Sequence, residues 1–277
     1  MIQSGAGAVG IADPSCSIDA LHSGPASSRP DPDPEHPFKS LFCSHCGYVH
    51  RIEMSCGSRV CPKCRAKWFG YHFHALYQLT KSWAEPRSLT LTVRNVPDSE
   101  FGRHTIKWLR ECYAELRRRI DPPQTAREKR LGIRRPARIR GGFYVVQATN
   151  YGDGSGWHPH IHVMYDGEFI PKEIIKAIWR EVTKGSYIIK INRVKTPYRA
   201  IAYLLADFTN EFRIDMKYAT IYDAVFKGAR LVQPFGNLAR AKLRVPFKCP
   251  ICGCTDWITV EDLEGEGPRL RPWYDDG

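Results

Sequence analysis

Two Cys-x2-Cys pairs, Cys43/Cys46 and Cys61/Cys64, stand fourteen residues apart. A two-residue spacing turns two thiolates toward one point, and two such knuckles close a tetrahedron around one zinc ion. Gly47 and Pro62 suit the turns that this requires. The spacing therefore predicts a small metal-stapled module, with a redox pair as the alternative. Cys56 is a fifth cysteine in the same stretch and can replace any of the four. His45, His50, His72 and His74 are nearby alternatives as ligands. A further group, Cys249, Cys252 and Cys254, lies 185 residues or more downstream. It offers three thiols without a clear fourth ligand and could borrow Cys56 or a histidine from the first segment, or bind metal at lower occupancy. Neither group leaves an open coordination position, so both read as structural zinc sites. Cys16 stands alone and reads as an ordinary thiol. The N-terminus shows no charged segment followed by an apolar one, so no secretory signal is expected. A reducing compartment then favours zinc over disulfides.

The chain divides by pattern. Residues 1–36 are rich in Gly, Ala, Ser, Pro and Asp without hydrophobic periodicity, which predicts a disordered tail. Residues 37–86 hold the zinc-binding segment and an aromatic-rich helix over 68–83. Residues 87–212 read as an α+β domain, an antiparallel sheet with flanking helices. Its strands fall at 88–93, 142–149 and 158–165, and its helices at 105–120, 171–182 and 196–212. Thr196 caps the last helix and Pro197 takes its first position. Residues 213–277 form a C-terminal segment with the second cysteine knuckle.

Forty-one Lys and Arg against 29 Asp and Glu give a net charge of +12, which favours a polyanionic partner, most often nucleic acid. No apolar run approaches the roughly 18–20 residues of a membrane span, so no membrane partner is expected. The connection 121–140 carries Arg127, Lys129, Arg130, Arg134, Arg135, Arg138 and Arg140. It reads as a phosphate-tracking loop or, more blandly, as a solvated surface loop.

The chemistry is concentrated in Trp157-His158-Pro159-His160-Ile161-His162-Val163. On a strand, residues i and i+2 share a face, so His160 and His162 project together and can hold a divalent metal. A two-residue turn at Asp153-Gly154 would set His160 opposite Gln147 and His158 opposite Thr149. Gln147 is then the third ligand, a neutral oxygen. On the helix that begins at Thr196, Tyr198 and Tyr203 point about 140° apart. Arg199, Tyr203 and Asp207 share one face by their i, i+4 spacing.

These elements, in this order, resemble the HUH endonucleases, in particular the rolling-circle replication initiators of plasmids and viruses. Ser88-Leu-Thr-Leu-Thr-Val93 is similar to the strand that opens the nuclease domain, and Gly156-Trp-His-Pro-His-Ile-His-Val163 is similar to the metal motif. The helix around Tyr203 resembles the nucleophile helix. Cys56-Gly-Ser-Arg-Val-Cys-Pro-Lys-Cys64 resembles a cysteine motif that precedes the nuclease in some initiators and related transposases. Lys227-Gly-Ala-Arg-Leu-Val232 with Phe235-Gly236 resembles a later segment. Two positions depart from the pattern: Gln147 stands where many relatives have glutamate, and Ala206 where many have lysine. The resemblance implies a ferredoxin- or RRM-like palm, with Mn2+ or Mg2+ at His160, His162 and Gln147. Tyr203 is the implied nucleophile, ahead of Tyr198, Tyr218 and Tyr222. It would attack a phosphate of single-stranded or hairpin origin DNA, leaving a 5′-phosphotyrosyl enzyme and a 3′-OH that primes a host polymerase. Arg199 or Lys195 would stand in for the missing lysine. No G-x4-GK-[ST] motif is present, so a host helicase is an expected partner. A cytoplasmic, nucleoid-associated setting follows. The same chemistry would serve a transposase. A zinc-dependent DNA-binding protein without catalysis and a zinc hydrolase are the other readings.

Overall fold

The computed structural model describes residues 36, 38–132, 137–206, 214–241, 243 and 247–259. In chain order the elements are β1 (Phe38–Cys43), β2 (Val49–Glu53), α1 (Pro62–Thr80), β3 (Pro86–Thr92), α2 (Arg103–Ile120), α3 (Ala126–Arg130), β4 (Ile139–Thr149) and β5 (His158–Gly167). They continue with α4 (Lys172–Val182), β6 (Ile189–Arg193), α5 (Pro197–Leu204), α6 (Ala219–Phe226), β7 (Val232–Gly236) and β8 (Trp257–Thr259). The described residues all fall within one compact unit. It is a mixed α+β fold with two antiparallel sheets, ordered β2-β1-β8 and β6-β3-β5-β4-β7.

The histidine-bearing strand β5 is the middle strand of the larger sheet. Its pleat sends Ile161, Val163 and Tyr165 to one face and His160, His162 and Met164 to the other. Across the ladder, Leu91 opposes Ile161 and Thr90 opposes His162 on β3, and Val146 opposes Ile161 and Gln147 opposes His160 on β4. The first face is covered by α2, whose Ile106, Leu109, Tyr113, Leu116 and Ile120 fall on one stripe and are all buried. Tyr113 meets Tyr144 of β4 edge-on at 4.9 Å. Helix α4 packs against α2 and β6, and its buried Trp179 donates Nε1–H to Thr92 O at 2.9 Å. The second face receives α5, and α1 packs in turn on α5. The polar residues of that face thus lie beneath the short helix carrying Tyr203.

The β4–β5 register pairs Gln147 with His160 and Thr149 with His158. The connection differs from the expected two-residue turn. Pairing stops at Thr149/His158, and residues 150–157 form a longer loop. Its ends find other partners: Trp157 and Val96 exchange N–H···O bonds at 2.8 Å, and Asn150 bridges to Ile214. The loop is symmetric about the expected turn, so the register is unchanged.

Helix α1 starts at Pro62, earlier than the 68–83 expected, because Pro62 can open a helix directly after Cys61. Helix α5 ends at Leu204, short of the expected 212; Asp207 and the residues to 213 lie outside the described set. Within the basic connection, α3 is held by a capping box of Thr125 and Glu128. Of the tail expected over 1–36, only His36 is described, and it is 7% exposed. Among the described residues, no helix is long and apolar enough to cross a membrane.

Gly142 is where β4 can least accept a side chain. A Cβ there would lie 2.3 Å from Met164 O and 2.8 Å from Tyr165 Cα, both backbone atoms of the central strand. Gly142→Ala is expected to lower stability by about 2–3 kcal/mol through forced separation of β4 from β5. Urea denaturation measures this, and a change within about 0.5 kcal/mol would show that the strands can part without loss.

Candidate functional site

The site on the polar sheet face is assembled by hydrogen bonds of fixed direction. Gln147 Nε2 donates to Leu204 O at 3.0 Å, which turns Oε1 toward His160 Nε2 at 3.1 Å. His160 Nδ1 lies 3.0 Å from His158 O. A carbonyl can only accept, so Nδ1 carries a hydrogen, and Nε2 either donates to the amide oxygen from a charged ring or presents a lone pair from a neutral one. In the neutral form two acceptors face one another across 3.1 Å, an arrangement that a shared cation would relieve. Octahedral ligands about 2.1 Å from a small divalent ion stand about 3.0 Å apart in cis positions. The spacing therefore fits a divalent cation held by His160 and Gln147.

His162 completes this face. Its ring lies 4.8 Å from that of His160 at 86°, and its Nδ1 is 3.1 Å from Thr90 Oγ1. Burial, aided by the charge of His160, lowers the His162 pKa to about 3. The ring is therefore neutral at ordinary pH, as a metal ligand must be. The same shift makes metal-free stability depend on pH. The unfolded chain binds the proton below pH 6.5 and the folded chain only near 3. Stability is full above 6.5 and falls as pH drops through that window, by up to about 1.4 kcal/mol per pH unit. Urea titrations of the metal-free protein should show this slope in the wild type and its loss in His162→Asn. Equal slopes would assign the acid sensitivity elsewhere. His158, on the same face, has Nδ1 2.7 Å from Asn95 Oδ1, and its ring lies 5.6 Å from that of His160 at 41°.

Tyr203 is 62% exposed, and its ring lies 5.6 Å from that of His162 at 76°. Tyr198 faces elsewhere, edge-on to Phe73 at 4.7 Å and Tyr77 at 5.9 Å on α1. Tyr222 is buried against Trp157 and Phe226. Tyr218 meets Trp157 edge-on at 5.7 Å, and its hydrogen bond to Asp98, with burial, raises its phenol pKa. Of these four, Tyr203 is the one brought to the histidines. Arg199 is exposed one turn before it on α5, and Lys195 is exposed just ahead of the helix.

The basic connection lies elsewhere. It enters β4 at Ile139, eight residues from Gln147, or about 27 Å at strand rise. Arg127, Lys129 and Arg130 are exposed on α3. Arg134 and Arg135 lie outside the described residues. Arg138 is 3.7 Å from Glu168. Arg140 pairs with both oxygens of Asp166, at 2.8 and 3.0 Å, and with Glu85 at 3.2 Å. Carboxylates thus neutralise Arg140, which removes it from the expected phosphate-tracking set.

The cysteines group differently from the sequence expectation. Cys43 and Cys46 do not meet Cys61 and Cys64; they meet Cys249 and Cys252. The second group is His36, Cys56, Cys61 and Cys64. In each group the four ligand atoms lie within 4.8 Å of one another. Cys43 Sγ is 3.4 Å from Cys252 Sγ and Cys46 Sγ 3.6 Å from Cys249 Sγ. In the other group, Cys56 and Cys64 sulfurs are 3.6 Å apart, and His36 Nε2 is 3.4 Å from both Cys61 and Cys64 Sγ. A tetrahedral zinc with bonds of about 2.3 Å has sulfur–sulfur edges of about 3.8 Å, so both groups could hold a metal ion such as zinc. Crowded thiols ionise unequally. Burial opposes ionisation of Cys43, but N–H groups of Cys46 and His45 outweigh it and bring its pKa to about 6. Cys56 is pushed up to about 12, chiefly by burial.

The reason for this grouping is the small sheet. Strand β8, from the far end of the chain, pairs with β1 and sets Trp257 opposite Cys43. That pairing returns the 249–252 knuckle to the 43–46 knuckle. Cys254 is outside both groups, and its Sγ accepts from Asp256 N at 3.3 Å. His36 was missed because it belongs to no spaced motif. His45, His50, His72 and His74 belong to neither group. Glu53 lies 3.2 Å from His36 Nδ1 and orients the ring, as carboxylates do behind metal-bound histidines. Comparisons with protein-family models, curated proteins and solved structures find no match.

Proposed function

We propose that the chain is an HUH-type nicking enzyme that opens single-stranded or hairpin DNA at a replication origin, with Tyr203 as nucleophile. The observation that carries this reading is the placement of an exposed tyrosine beside His162, on the sheet face where His160 and Gln147 converge. The antiparallel five-stranded sheet with the histidines on its middle strand supports it. So do the net charge of +12 and two exposed cations, Arg199 one turn before the tyrosine and Lys195 just ahead of the helix.

His160, His162 and Gln147 would hold the divalent ion, Mn2+ or Mg2+. When bound, it supplies positive charge to the scissile phosphate. The protein's own groups do the rest. Gln147 ties the ligand set to the end of α5 through Leu204 O, one residue beyond Tyr203. That bond fixes the distance between nucleophile and ligands. Arg199 shares the exposed face of α5 with Tyr203 and offers a guanidinium to a phosphate oxygen, where Ala206 has no charge to offer. Tyr203 Oη bonds to phosphorus and the bond from phosphorus to the 3′ oxygen breaks. The phenol loses one proton and the departing oxygen gains one. The 5′ side stays on the protein as a phosphotyrosine and the 3′-OH is released, ready for a polymerase or for reversal. The two Cys/His groups lack an open ligand position and serve as structural zinc sites.

The test is covalent trapping. The protein is incubated with single-stranded DNA labelled at the 3′ end, with Mn2+ or Mg2+, and resolved on a denaturing gel. A labelled protein band that requires added metal is expected. DNA that is bound but never attached would overturn the reading in favour of a zinc-dependent DNA-binding protein. DNA cut to product without attachment would point to a hydrolase.

A further inference from the structure

The sheet face opposite the histidines carries a groove that the nicking reaction does not use. It has a volume of about 510 Å³ and runs between α2 and the segment from Val225 to Gln233. Tyr144 and Gln233 form its floor, with the tyrosine hydroxyl donating to Gln233 Oε1 at 3.0 Å. Along its walls stand Arg103, Lys107, Arg110, Arg117 and Lys227, against the single carboxylate Glu111. The α2 cations recur at helical spacing over fourteen residues, a length of about 21 Å. A smaller hollow, bordered by Arg117, Arg118 and Asp121, extends the groove toward the connection that bears α3.

Lys107 faces Glu111 at 3.9 Å, whereas the three arginines are fixed in place by groups that do not neutralise them. Arg103 donates Nε–H to Ala224 O at 3.1 Å and an Nη2 hydrogen to Lys227 O at 3.2 Å. Arg110 donates to Arg230 O. Arg117 stacks its guanidinium 4.6 Å from the Phe235 ring centre. Carbonyls and aromatic faces orient a guanidinium while leaving its full charge in place. A row of cations at helical spacing matches a polymer of regularly spaced oxyanions. The Lys227-Gly-Ala-Arg230 motif singled out in the sequence supplies the facing wall.

We infer that this groove is a second nucleic-acid site, binding the sugar–phosphate backbone of a DNA strand on the face of the sheet away from Tyr203. The choice of DNA as the polyanion rests on the nicking reading; the site itself does not. Its role is to hold flanking DNA independently of the metal and the tyrosine, with affinity that falls steeply with salt.

The test uses the full chain and a fluorescent single-stranded oligonucleotide without added divalent metal. Lys107→Glu combined with Lys227→Glu reverses two exposed charges of the groove. Lys172→Glu combined with Lys176→Glu makes the same change in net charge on α4. The groove pair is expected to weaken binding at least about tenfold at low salt. It should also flatten the plot of log affinity against log salt by about 1.4, the value for two lost contacts to a single strand. The α4 pair should change affinity less than about twofold. Equal effects from both pairs, or none from either, would overturn the inference. Trapping at saturating DNA, run in parallel, separates the two ideas. If the wild type never forms an adduct yet the groove pair flattens the salt plot, the nicking reading fails and the groove stands. If adduct forms normally and the salt plots coincide, the groove fails and nicking stands.

Discussion

Tyr203→Phe removes the covalent protein–DNA adduct while the protein still folds and still binds DNA. The phenylalanine has no oxygen to bond to phosphorus, so the loss is at least about a thousandfold, or ~4 kcal/mol of barrier. The ring is 62% exposed, so stability should change by no more than about 0.5 kcal/mol. Tyr198→Phe is the paired control. Its ring packs edge-on against Phe73 and Tyr77, and its loss of a hydroxyl should leave adduct yield within about twofold of wild type. The readout is the labelled band on a denaturing gel, with urea melts to show that both variants are folded. An adduct that persists in Tyr203→Phe would keep the chemistry and move the nucleophile. An adduct lost from both variants would mean that α5 itself had shifted.

Loss of the long-range metal group should have the largest effect on stability. Cys43 and Cys252 are 209 residues apart in sequence, and Cys46 and Cys249 are 203 apart. A metal that ties them closes a loop of that length. The entropy of such a closure corresponds to about 5 kcal/mol by the relation used for covalent cross-links. Purified protein is expected to carry two zinc ions per chain. Cys249→Ser with Cys252→Ser should leave one, with a fall in stability of several kcal/mol by the same relation. Cys254→Ser should leave two, since its sulfur belongs to neither group. Elemental analysis and thermal melts read both results. If the Cys249/Cys252 pair of changes left two zinc ions in place, ligands other than those found here would have to hold one. His36→Ala tests the other group in the same way. It should release the second ion and leave the first.

How much of this could be read from residue order varies by element. The alternation of His160, Ile161 and His162 was enough to place two imidazoles on one face, because the pleat of a strand is a local property. Gln147 was legible as the partner of His160 because the glycine-rich connection is symmetric about Asp153-Gly154, although it forms a longer loop than a two-residue turn. The stripe of Ile106, Leu109, Tyr113, Leu116 and Ile120 identified α2 for the same local reason. Strands β1, β2, β6, β7 and β8 escaped notice. Each is short and mixed in polarity, and β8 is a strand only because β1 is there to pair with it.

The sequence by itself determined which residues could act. It set the residue types, their spacing within each strand or helix, and the excess of positive charge. The tertiary structure alone decided which of them meet. Spacing places Cys43 near Cys46 and Cys61 near Cys64, but sheet pairing between the two ends of the chain sends the first pair to Cys249 and Cys252. It leaves the second pair to Cys56 and to His36, a residue without any motif. Likewise, no local rule distinguishes Tyr203 from Tyr198. The packing of α5 between β5 and α1 turns one toward His162 and the other toward Phe73. Short-range geometry follows from the covalent chain, whereas a metal shell or an active site needs groups from distant segments. Those are joined only by the burial and hydrogen bonding of the whole fold.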